Sequence, residues 1–193
     1  MAFLHVVAWL IAVVYSTIPS FWLVVHPRAR KLGQFDKPLV GAGAIWFVMW
    51  IGMGLITWPF LHVLLYRTVW SWIPAGILFT AGMVVYALGT RRFTTDQLLG
   101  RTELHPQKHK QHLVTTGIRR YVRHPIYLGH FLELAAWSIG TGMAVIYGMT
   151  AFAVVTGLIM VRAEDRELEQ RFGHEYRQYQ AQVPALIPRL RRP

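Results

Sequence analysis

The sequence predicts an all-α integral membrane protein with five transmembrane helices, the last two forming a tight hairpin, and a cytoplasmic C-terminal helix. Its 193 residues are 54% hydrophobic and only 15% charged, whereas about a quarter of the residues in a soluble domain are charged. Long uncharged runs alternate with basic connections, and about 20 apolar residues suffice to cross a bilayer as a helix. We expect a single membrane domain over residues 1–193.

Three uncharged runs predict the N-terminal spans, which together occupy residues 1–92. Residues 2–25 have no basic segment before them and exceed the length of a signal-peptide core, so we expect a retained helix. The second run, residues 39–66, contains Pro59, which should kink the helix or end its membrane part because proline lacks a backbone N–H. A single arginine separates it from the third run, residues 68–90.

The C-terminal half, residues 93–193, begins with a polar connection over residues 93–123. The apolar run that follows, residues 125–161, would make a helix of about 55 Å, whereas the hydrocarbon core is about 30 Å thick. A Gly-Thr-Gly triplet at 140–142 lies near its middle, so we predict two short helices. In the polar tail, spacings of three and four predict one face of a further helix. This face consists of Leu168, Phe172, Tyr176, Tyr179 and Val183.

The distribution of Lys and Arg predicts the orientation of the spans. In chain order, the four connections and the tail contain four, one, eight, none and seven of these residues. Because connections rich in Lys and Arg stay on the cytoplasmic side, we expect a multi-pass protein with its N-terminus outside and its C-terminus in the cytoplasm. The formal net charge of +11 then faces membrane lipids, and no nucleic-acid partner is expected.

The stretch 112–129, HLVTTGIRRYVRHPIYLG, carries three arginines and no acid, and it leads into an apolar run. Pro125 suits the first position of a helix, which puts unpaired N–H groups and the positive end of a helix dipole beside His124. This arrangement predicts a site for an anionic group at the membrane edge. The alternative is a basic loop that binds lipid headgroups.

Four acids between residues 164 and 169 open the polar tail, with Arg166 among them. A helix that leaves a membrane with charges of both signs is often a solvated face that pairs with itself. The functional alternative is that these acids meet the basic stretch across a pocket. Acid and base together would then bind the two charged ends of a zwitterion.

Other residues limit the chemistry of the chain. The absence of cysteine excludes disulfides, thiolate catalysis and cysteine-ligated metals. His105, His109 and His112 would share a helix face, but a proline interrupts the segment and no partner acid is evident, so we predict no metal site. Glu133 lies within the fourth predicted span, where an ionisable group is expensive. It is either an anchor for a substrate amine or a buried partner of His130.

The basic stretch and the acidic tail together resemble the isoprenylcysteine carboxyl methyltransferase family and its prokaryotic relatives, which are integral membrane enzymes. The resemblance covers residues 86–188. Its pattern is L-V-x-x-G, then R-H-P-x-Y, a hairpin, an acidic pair and L-x-x-x-F-G-x-x-Y-x-x-Y. The matching residues are Leu113, Val114, Gly117, Arg123, His124, Pro125, Tyr127, Leu168, Phe172, Gly173, Tyr176 and Tyr179.

The resemblance implies S-adenosylmethionine as the cofactor and a lipophilic acceptor as the substrate, most simply the carboxylate of an isoprenylated cysteine. Glu164, the first acid of the pair, would hold the amino group of the cofactor or position the methyl donor. The other residues implied to bind the cofactor are Gln111, His112, Leu113, Val114, Gly117, Tyr121, Arg123, His124 and Tyr127.

Departures from the family pattern leave the acceptor side open. Family members often carry an arginine four residues before the first acid, where this chain has Met160. The nearest arginine, Arg162, is rotated by about 160° on a helix, and Arg119 replaces a family tyrosine near the same pocket. The candidate catalytic residues are therefore Glu164, Arg162 and Arg119, and the candidate substrate-binding residues are Glu133 and Met160.

Three other functions stay open at this point. A phospholipid N-methyltransferase shares much of the pattern and would use Glu133 to hold a lipid amine. A nicotinamide-dependent membrane reductase is a second alternative, although the sequence has no Gly-rich nucleotide motif. A non-catalytic membrane adaptor is the third, and it would bind neither cofactor.

Overall fold

A computed structural model describes residues 2–28, 38–91 and 113–188. Within these ranges every regular element is helical, which confirms the all-α prediction. The first helix has the bounds predicted from the sequence. The six α-helices of the described residues are α1 (Ala2–Val25), α2 (Pro38–Thr57), α3 (Trp72–Thr90), α4 (Pro125–Thr141), α5 (Ala144–Phe172) and α6 (His174–Gln182).

Four helices of the described residues are long and apolar enough to cross a membrane, and α4, with 17 residues, is slightly shorter. The helices α2 and α3 expose most of their large apolar side chains. Apolar surface of this extent is covered by lipid or by another protein rather than by water. The protein is therefore a multi-pass membrane protein. The four candidate spans are Phe3–Val25, Leu39–Phe60, Trp72–Thr90 and Ala144–Phe172.

The second and third helices are shorter than the uncharged runs that predicted them. Pro59 lies in a 3-10 turn that closes α2, so this proline ends the helix rather than kinking it. Residues 61–71 then run along the connection between α4 and α5, where the Leu65 N–H donates to the Gly142 carbonyl at 2.8 Å. The helices predicted from the runs 39–66 and 68–90 were therefore too long. Residues 61–71 form an apolar loop instead, because their backbone groups hydrogen-bond to the connection between α4 and α5.

The helices α1 and α5 pack side by side and point in the same direction. Ala8 and Ala12, near the start of α1, are buried against Ile146, near the start of α5. At the other end, His26 Nε2 lies 2.7 Å from Glu167 Oε2. The C-terminal end of α1 therefore lies beside the charged part of α5.

The helices α3 and α4 make a close backbone approach. A Cβ atom added to Gly82 would lie 2.8 Å from the carbonyl oxygen of Gly129, and one added to Gly129 would lie 2.8 Å from the carbonyl oxygen of Gly82. Nearer the end of α3, Gly89 lies against Pro125. Small residues allow membrane helices to pack this closely, and here they fix the end of α3 beside the start of α4.

The apolar run 125–161 breaks at the predicted triplet, where Gly142 adopts a φ of 66° between α4 and α5. Ser138 of α4 hydrogen-bonds Thr150 of α5 at 2.8 Å, and the two helices pack with opposite directions. The expectation of two short helices was wrong for the second, because α5 has 29 residues and continues through Arg162 into the acidic tail. Gly173, with a φ of 57°, ends α5, so the single helix face predicted for residues 168–183 is divided between α5 and α6.

Candidate functional site

The basic stretch and the C-terminal segment meet where α3 and α5 end and α4 begins. The backbone N–H of Arg123 donates to the Pro184 carbonyl at 2.9 Å, and that of His124 donates to the Ala185 carbonyl at 3.0 Å. His124 is the N-cap residue of α4, with Pro125 in its first turn as predicted. The backbone therefore holds the RHP motif against the residues that follow α6.

Asp165 is the centre of a buried polar cluster at this meeting point. Its Oδ1 accepts hydrogen bonds from His124 Nε2 at 2.7 Å and from the Tyr176 hydroxyl, and its Oδ2 accepts one from Arg123 Nη2 at 2.6 Å. We call these four residues the Asp165 cluster. Asp165 is only 9% exposed, and its partners come from the basic stretch and from α6. The cluster therefore joins three separate parts of the chain.

Arg123 also ties the cluster to the end of α6. Its Nη1 donates to the carbonyl of Val183 and, at 3.3 Å, to that of Gln180. Carbonyls at a helix C-terminus lack intrahelical partners and carry the negative end of the helix dipole, so a guanidinium is a favourable partner. Arg123 thus neutralises Asp165 and caps α6 with one side chain.

His124 lies between the two acids of the predicted pair. Its Nε2 contacts Asp165, and its Nδ1 lies 3.5 Å from Glu164 Oε2. Burial lowers the pKa of the imidazole, but the carboxylates of Glu164 and Asp165 outweigh burial and raise this pKa to about 9. The ring is therefore a cation at neutral pH and donates from both nitrogens.

Two tyrosines of α6 hold this helix to the rest of the site. Burial and the neighbouring Asp165 raise the pKa of Tyr176, so its hydroxyl stays a neutral donor. The Tyr179 hydroxyl donates to the carbonyl of Arg119 at 2.6 Å, and the Arg119 Nη1 donates to the Gly89 carbonyl at 2.7 Å. Hydrogen bonds of Arg119 therefore link the basic stretch to the end of α3 on one side and to α6 on the other.

Of the candidate catalytic residues, Glu164 and Arg162 belong to α5 and lie on different sides of it. The Glu164 side chain is 36% exposed, three times the value of 12% for Asp165. Met160 is buried one turn before Glu164 and, at about 100° per residue, on nearly the same face. Arg162 is exposed and about 160° away from both. The structure therefore groups Met160 with Glu164 and separates Arg162 from them.

The remaining residues implied to bind the cofactor differ in their burial and backbone conformation. Leu113 and Val114 are half-buried, and Gly117 has a φ of 66° at the start of a 3-10 turn. Tyr121 is 51% exposed, and the Tyr127 ring centre lies 6.2 Å from that of His124. Outside the described residues lie Gln111 and His112, together with His105 and His109 of the histidine patch that was weighed as a metal site.

Glu133 lies away from the Asp165 cluster. Its carboxyl group is buried between helices, with the Tyr15 hydroxyl as a hydrogen-bond partner and its Cγ against Gly82. Within the described part of the chain, its Oε1 has no hydrogen-bond partner. His130 Nε2 instead contacts the Tyr15 carbonyl at 2.7 Å. Nine residues after His124, Glu133 points about 180° away from it around α4.

Sequence reasoning missed the central role of Asp165 and gave no role to Tyr176. It ranked Glu164 first because the resemblance assigned the cofactor to the first acid of the pair. Tyr176 is part of the matched pattern and lies 11 residues after Asp165. Its place in that pattern is the sequence signal that could have indicated a role for it. The bend at Gly173 returns Tyr176 to Asp165, and no periodicity argument predicts that contact.

Comparisons with known proteins give a family match and several relatives. The family model for phospholipid methyltransferases matches residues 76–175, which are 100 of the 193 residues. Methanethiol S-methyltransferase 1 of Bradyrhizobium diazoefficiens is 33% identical over 58% of this chain and 38% of its own length. The methanethiol S-methyltransferase of Crocosphaera subtropica is 27% identical over 88% of this chain and 65% of its own length.

A third relative, the protein-S-isoprenylcysteine O-methyltransferase of Schizosaccharomyces pombe, is 36% identical over 42% of this chain and 36% of its own length. The chain thus spans less than two thirds of the length of each of these relatives. No solved structure gives a significant match. The family match contains Arg123, His124, Glu164 and Asp165, which confirms the resemblance seen in the sequence. Because the family model matches more than half of its residues, and because its relatives include methyltransferases named for isoprenylcysteine and for methanethiol, the chain belongs to the phospholipid methyltransferase family of membrane methyltransferases.

Proposed function

We propose that this chain transfers a methyl group from S-adenosylmethionine to a lipophilic acceptor at the cytoplasmic face of the membrane. The observation that carries the proposal is the Asp165 cluster. It joins the RHP motif to the acidic pair and leaves the Glu164 carboxylate partly exposed beside the fixed His124 cation. Membership of a methyltransferase family supplies the reaction class.

The groups around the cluster fit the chemistry of this cofactor. Glu164 is the accessible carboxylate and would accept a hydrogen bond from an ammonium group. Leu113 and Val114 would offer apolar surface to an adenine. When bound, S-adenosylmethionine supplies a methyl group on a positively charged sulfur. The chain then contributes orientation and the exclusion of water, since an in-line methyl transfer needs little acid–base help.

The favoured acceptor is the carboxylate of an isoprenylated cysteine or of a similar lipophilic molecule. A carboxylate that attacks a cationic methyl donor loses charge in the transition state, so a low-dielectric site at a membrane favours the reaction. Arg119 is the better placed of the two candidate cations. It is anchored at the end of α3 within electrostatic range of Glu164, whereas Arg162 faces away.

A thiol is the second acceptor class. The relative from Crocosphaera subtropica, which covers 88% of this chain, is named for methanethiol. A thiol must lose its proton before it attacks, and Glu164 is an accessible carboxylate for that proton. The lipid-amine alternative has less support, because Glu133 points away from the Asp165 cluster and is packed against Gly82.

The topology of the proposed enzyme includes α4 as a fifth span that forms a hairpin with α5. A helix of 17 residues is about 26 Å long, close to the hydrocarbon thickness of about 30 Å. Its N-terminal end lies at the Asp165 cluster, and its C-terminal end contacts the loop after α2. These two ends mark opposite faces of the protein.

Calorimetric titration with S-adenosylhomocysteine tests cofactor binding by the detergent-purified chain. We expect Glu164→Ala to weaken binding by about 1–3 kcal/mol, the range for losing a hydrogen bond to a charged group. Glu169→Ala is the matched control, because Glu169 lies on the same helix and pairs weakly with Arg177 at the surface. Binding of NADPH instead would favour a reductase, and binding of neither would contradict the proposal.

The acceptor is tested with labelled S-adenosylmethionine in three parallel reactions, which contain a farnesylcysteine derivative, an alkyl thiol or an aminophospholipid. A base-labile methyl ester in the first, reduced in Arg119→Ala, supports the carboxylate. A thioether in the second would establish the thiol instead. A base-stable product in the third, lost in Glu133→Gln, would overturn both.

A further inference from the structure

The carboxylate of Asp165 has no capacity left for a ligand. Besides the three short hydrogen bonds of its cluster, Oδ1 receives Arg123 Nε at 3.3 Å and Oδ2 receives Gln180 Nε2 at 3.5 Å. A carboxylate has about four lone-pair sites, and all of them face donors of this chain. Asp165 therefore acts on a bound molecule only through its neighbours.

Those neighbours are held in one geometry by Asp165. The contact at 2.7 Å fixes the His124 ring through Nε2, which turns Nδ1 toward Glu164. The two contacts to Arg123 hold its Nε and Nη2 against the carboxylate, while the Val183 carbonyl accepts a hydrogen bond from its Nη1. Both cations are almost fully buried, with side chains 8% and 4% exposed.

We propose that Asp165 is a positioning residue: it orients His124, and His124 in turn holds the Glu164 carboxylate toward the methyl donor. This inference rests on the proposed function of the site. It assigns different roles to the two neighbouring acids. Glu164 contacts the cofactor. Asp165 determines where Glu164 points and keeps His124 cationic.

The charged and titratable groups around His124 are few. From α5 they are Glu164 and Asp165, and from α6 it is Tyr176, which reaches the ring through Asp165. On its own segment they are Arg123 and Tyr127, whose ring lies edge-on at 6.2 Å. Among the described residues, the acids are therefore the groups that favour the cationic ring.

The test is histidine-labelled nuclear magnetic resonance of the full chain in detergent, with the His124 signals identified from their loss in His124→Gln. In the wild type, we expect both ring nitrogens protonated at pH 7.5 and a slowly exchanging Nε2 proton. In Asp165→Asn, the proton-binding constant of His124 should fall at least tenfold. Glu167→Gln is the matched control, because Glu167 lies on the same helix and pairs with His26 outside the cluster.

A second readout links this geometry to the cofactor. Affinity for S-adenosylhomocysteine should fall at least tenfold in Asp165→Asn, while Glu167→Gln should match the wild type. An Asp165→Asn variant that folds and leaves the titration of His124 unchanged would overturn the inference. If that variant does not fold, a wild-type His124 that is neutral at pH 7.5, or has a rapidly exchanging Nε2 proton, would overturn it. These resonance measurements do not depend on cofactor binding, so a failure of the proposed function is recognised separately.

Discussion

At Asp165 the chain removes a negative charge from water and surrounds it with a guanidinium, an imidazolium and a phenol. Taking such charges out of water costs about as much as their attraction returns, so the cluster contributes little net stability when complete. Removing one member is different, because the remaining charges are left buried without a partner. The cluster thus makes the geometry of the site sensitive to a few side chains.

The first prediction separates the two acids by stability. Asp165→Ala should lower the free energy of unfolding by about 3–5 kcal/mol, the usual effect of breaking a buried ion pair. Glu164→Ala should change it by less than about 1 kcal/mol, because its partner lies at 3.5 Å and its side chain is partly exposed. Denaturant unfolding in detergent measures both. Equal losses would contradict the different burial of the two acids.

The second prediction concerns the pH dependence of stability. The pKa of His124 is raised to about 9 in the folded chain, above its value of about 6.5 in an unfolded chain. This contribution to stability is therefore fully present below pH 6.5 and is lost as the pH rises through 9. We expect the Tm to fall over this interval. His124→Gln should flatten that part of the profile, and a wild-type Tm that is constant from pH 6.5 to 9 would contradict the assignment.

At the scale of the elements, one contact between glycines and one glycine bend determine how the helices reach the site. Gly82 and Gly129 let the backbones of α3 and α4 touch, which puts Gly89 within reach of Arg119. Gly173 turns the chain between α5 and α6 at a φ of 57°. The first contact positions the basic stretch, and the second returns Tyr176 to Asp165.

The third prediction tests the contact between α3 and α4. Gly82→Ala should destabilise the protein by about 1–3 kcal/mol, because the added methyl group would overpack against the Gly129 carbonyl. Gly76→Ala is the matched control on the same helix, since nothing lies within 4 Å of its added Cβ. Thermal unfolding in one detergent compares the two. A Gly82→Ala variant as stable as Gly76→Ala would show that α3 and α4 are not packed as closely as described.

The fourth prediction tests the bend at Gly173. Gly173→Ala should cost about 1–3 kcal/mol, because its φ and ψ of 57° and −123° lie in a region that residues with a side chain rarely adopt. Cofactor affinity should fall as well, since α6 carries Tyr176. Gly148→Ala, an unhindered position in α5, should be neutral in both measurements. Normal affinity in Gly173→Ala would mean that the angle of α6 does not matter for the site.

At the scale of the whole molecule, contacts divide the structure into two ends. One end holds the Asp165 cluster and the ion pair between His26 and Glu167. The other end holds the hydrogen bond from Trp9 Nε1 to Thr57 at 2.8 Å and the loop that follows α2. Apolar helices connect these ends, and in the proposed topology one end faces each side of the membrane.

The fifth prediction concerns orientation. A reporter fused after Pro193 should be active in the cytoplasm, and one fused after Arg67 should be active outside, because connections rich in Lys and Arg stay on the cytoplasmic side. Paired alkaline phosphatase and fluorescent protein fusions measure both positions. A cytoplasmic signal at Arg67 would be incompatible with five spans and an external N-terminus.

The sequence by itself determined the all-α membrane class, the bounds of α1, the break at residues 140–142, and the family. These follow from local properties: the length of apolar runs, the backbone limits of proline and glycine, and the order of a motif. It left open whether the acidic tail pairs with itself or meets the basic stretch, and the Asp165 cluster shows that Asp165 meets Arg123 and His124 of the basic stretch. Local patterns extended the second helix too far, because they contain no information about where a loop finds its backbone partners.

Only the tertiary structure decided which acid is buried and which is exposed. Glu164 and Asp165 are adjacent in the sequence and similar in chemistry, so their difference comes from where the helix α5 turns each of them. The same applies to Glu133, whose helix face points toward α3 and not toward His124. Such outcomes depend on contacts between residues far apart in the sequence, such as Arg123 and Val183 at a separation of 60 positions, and these contacts are set by packing rather than by spacing along the chain.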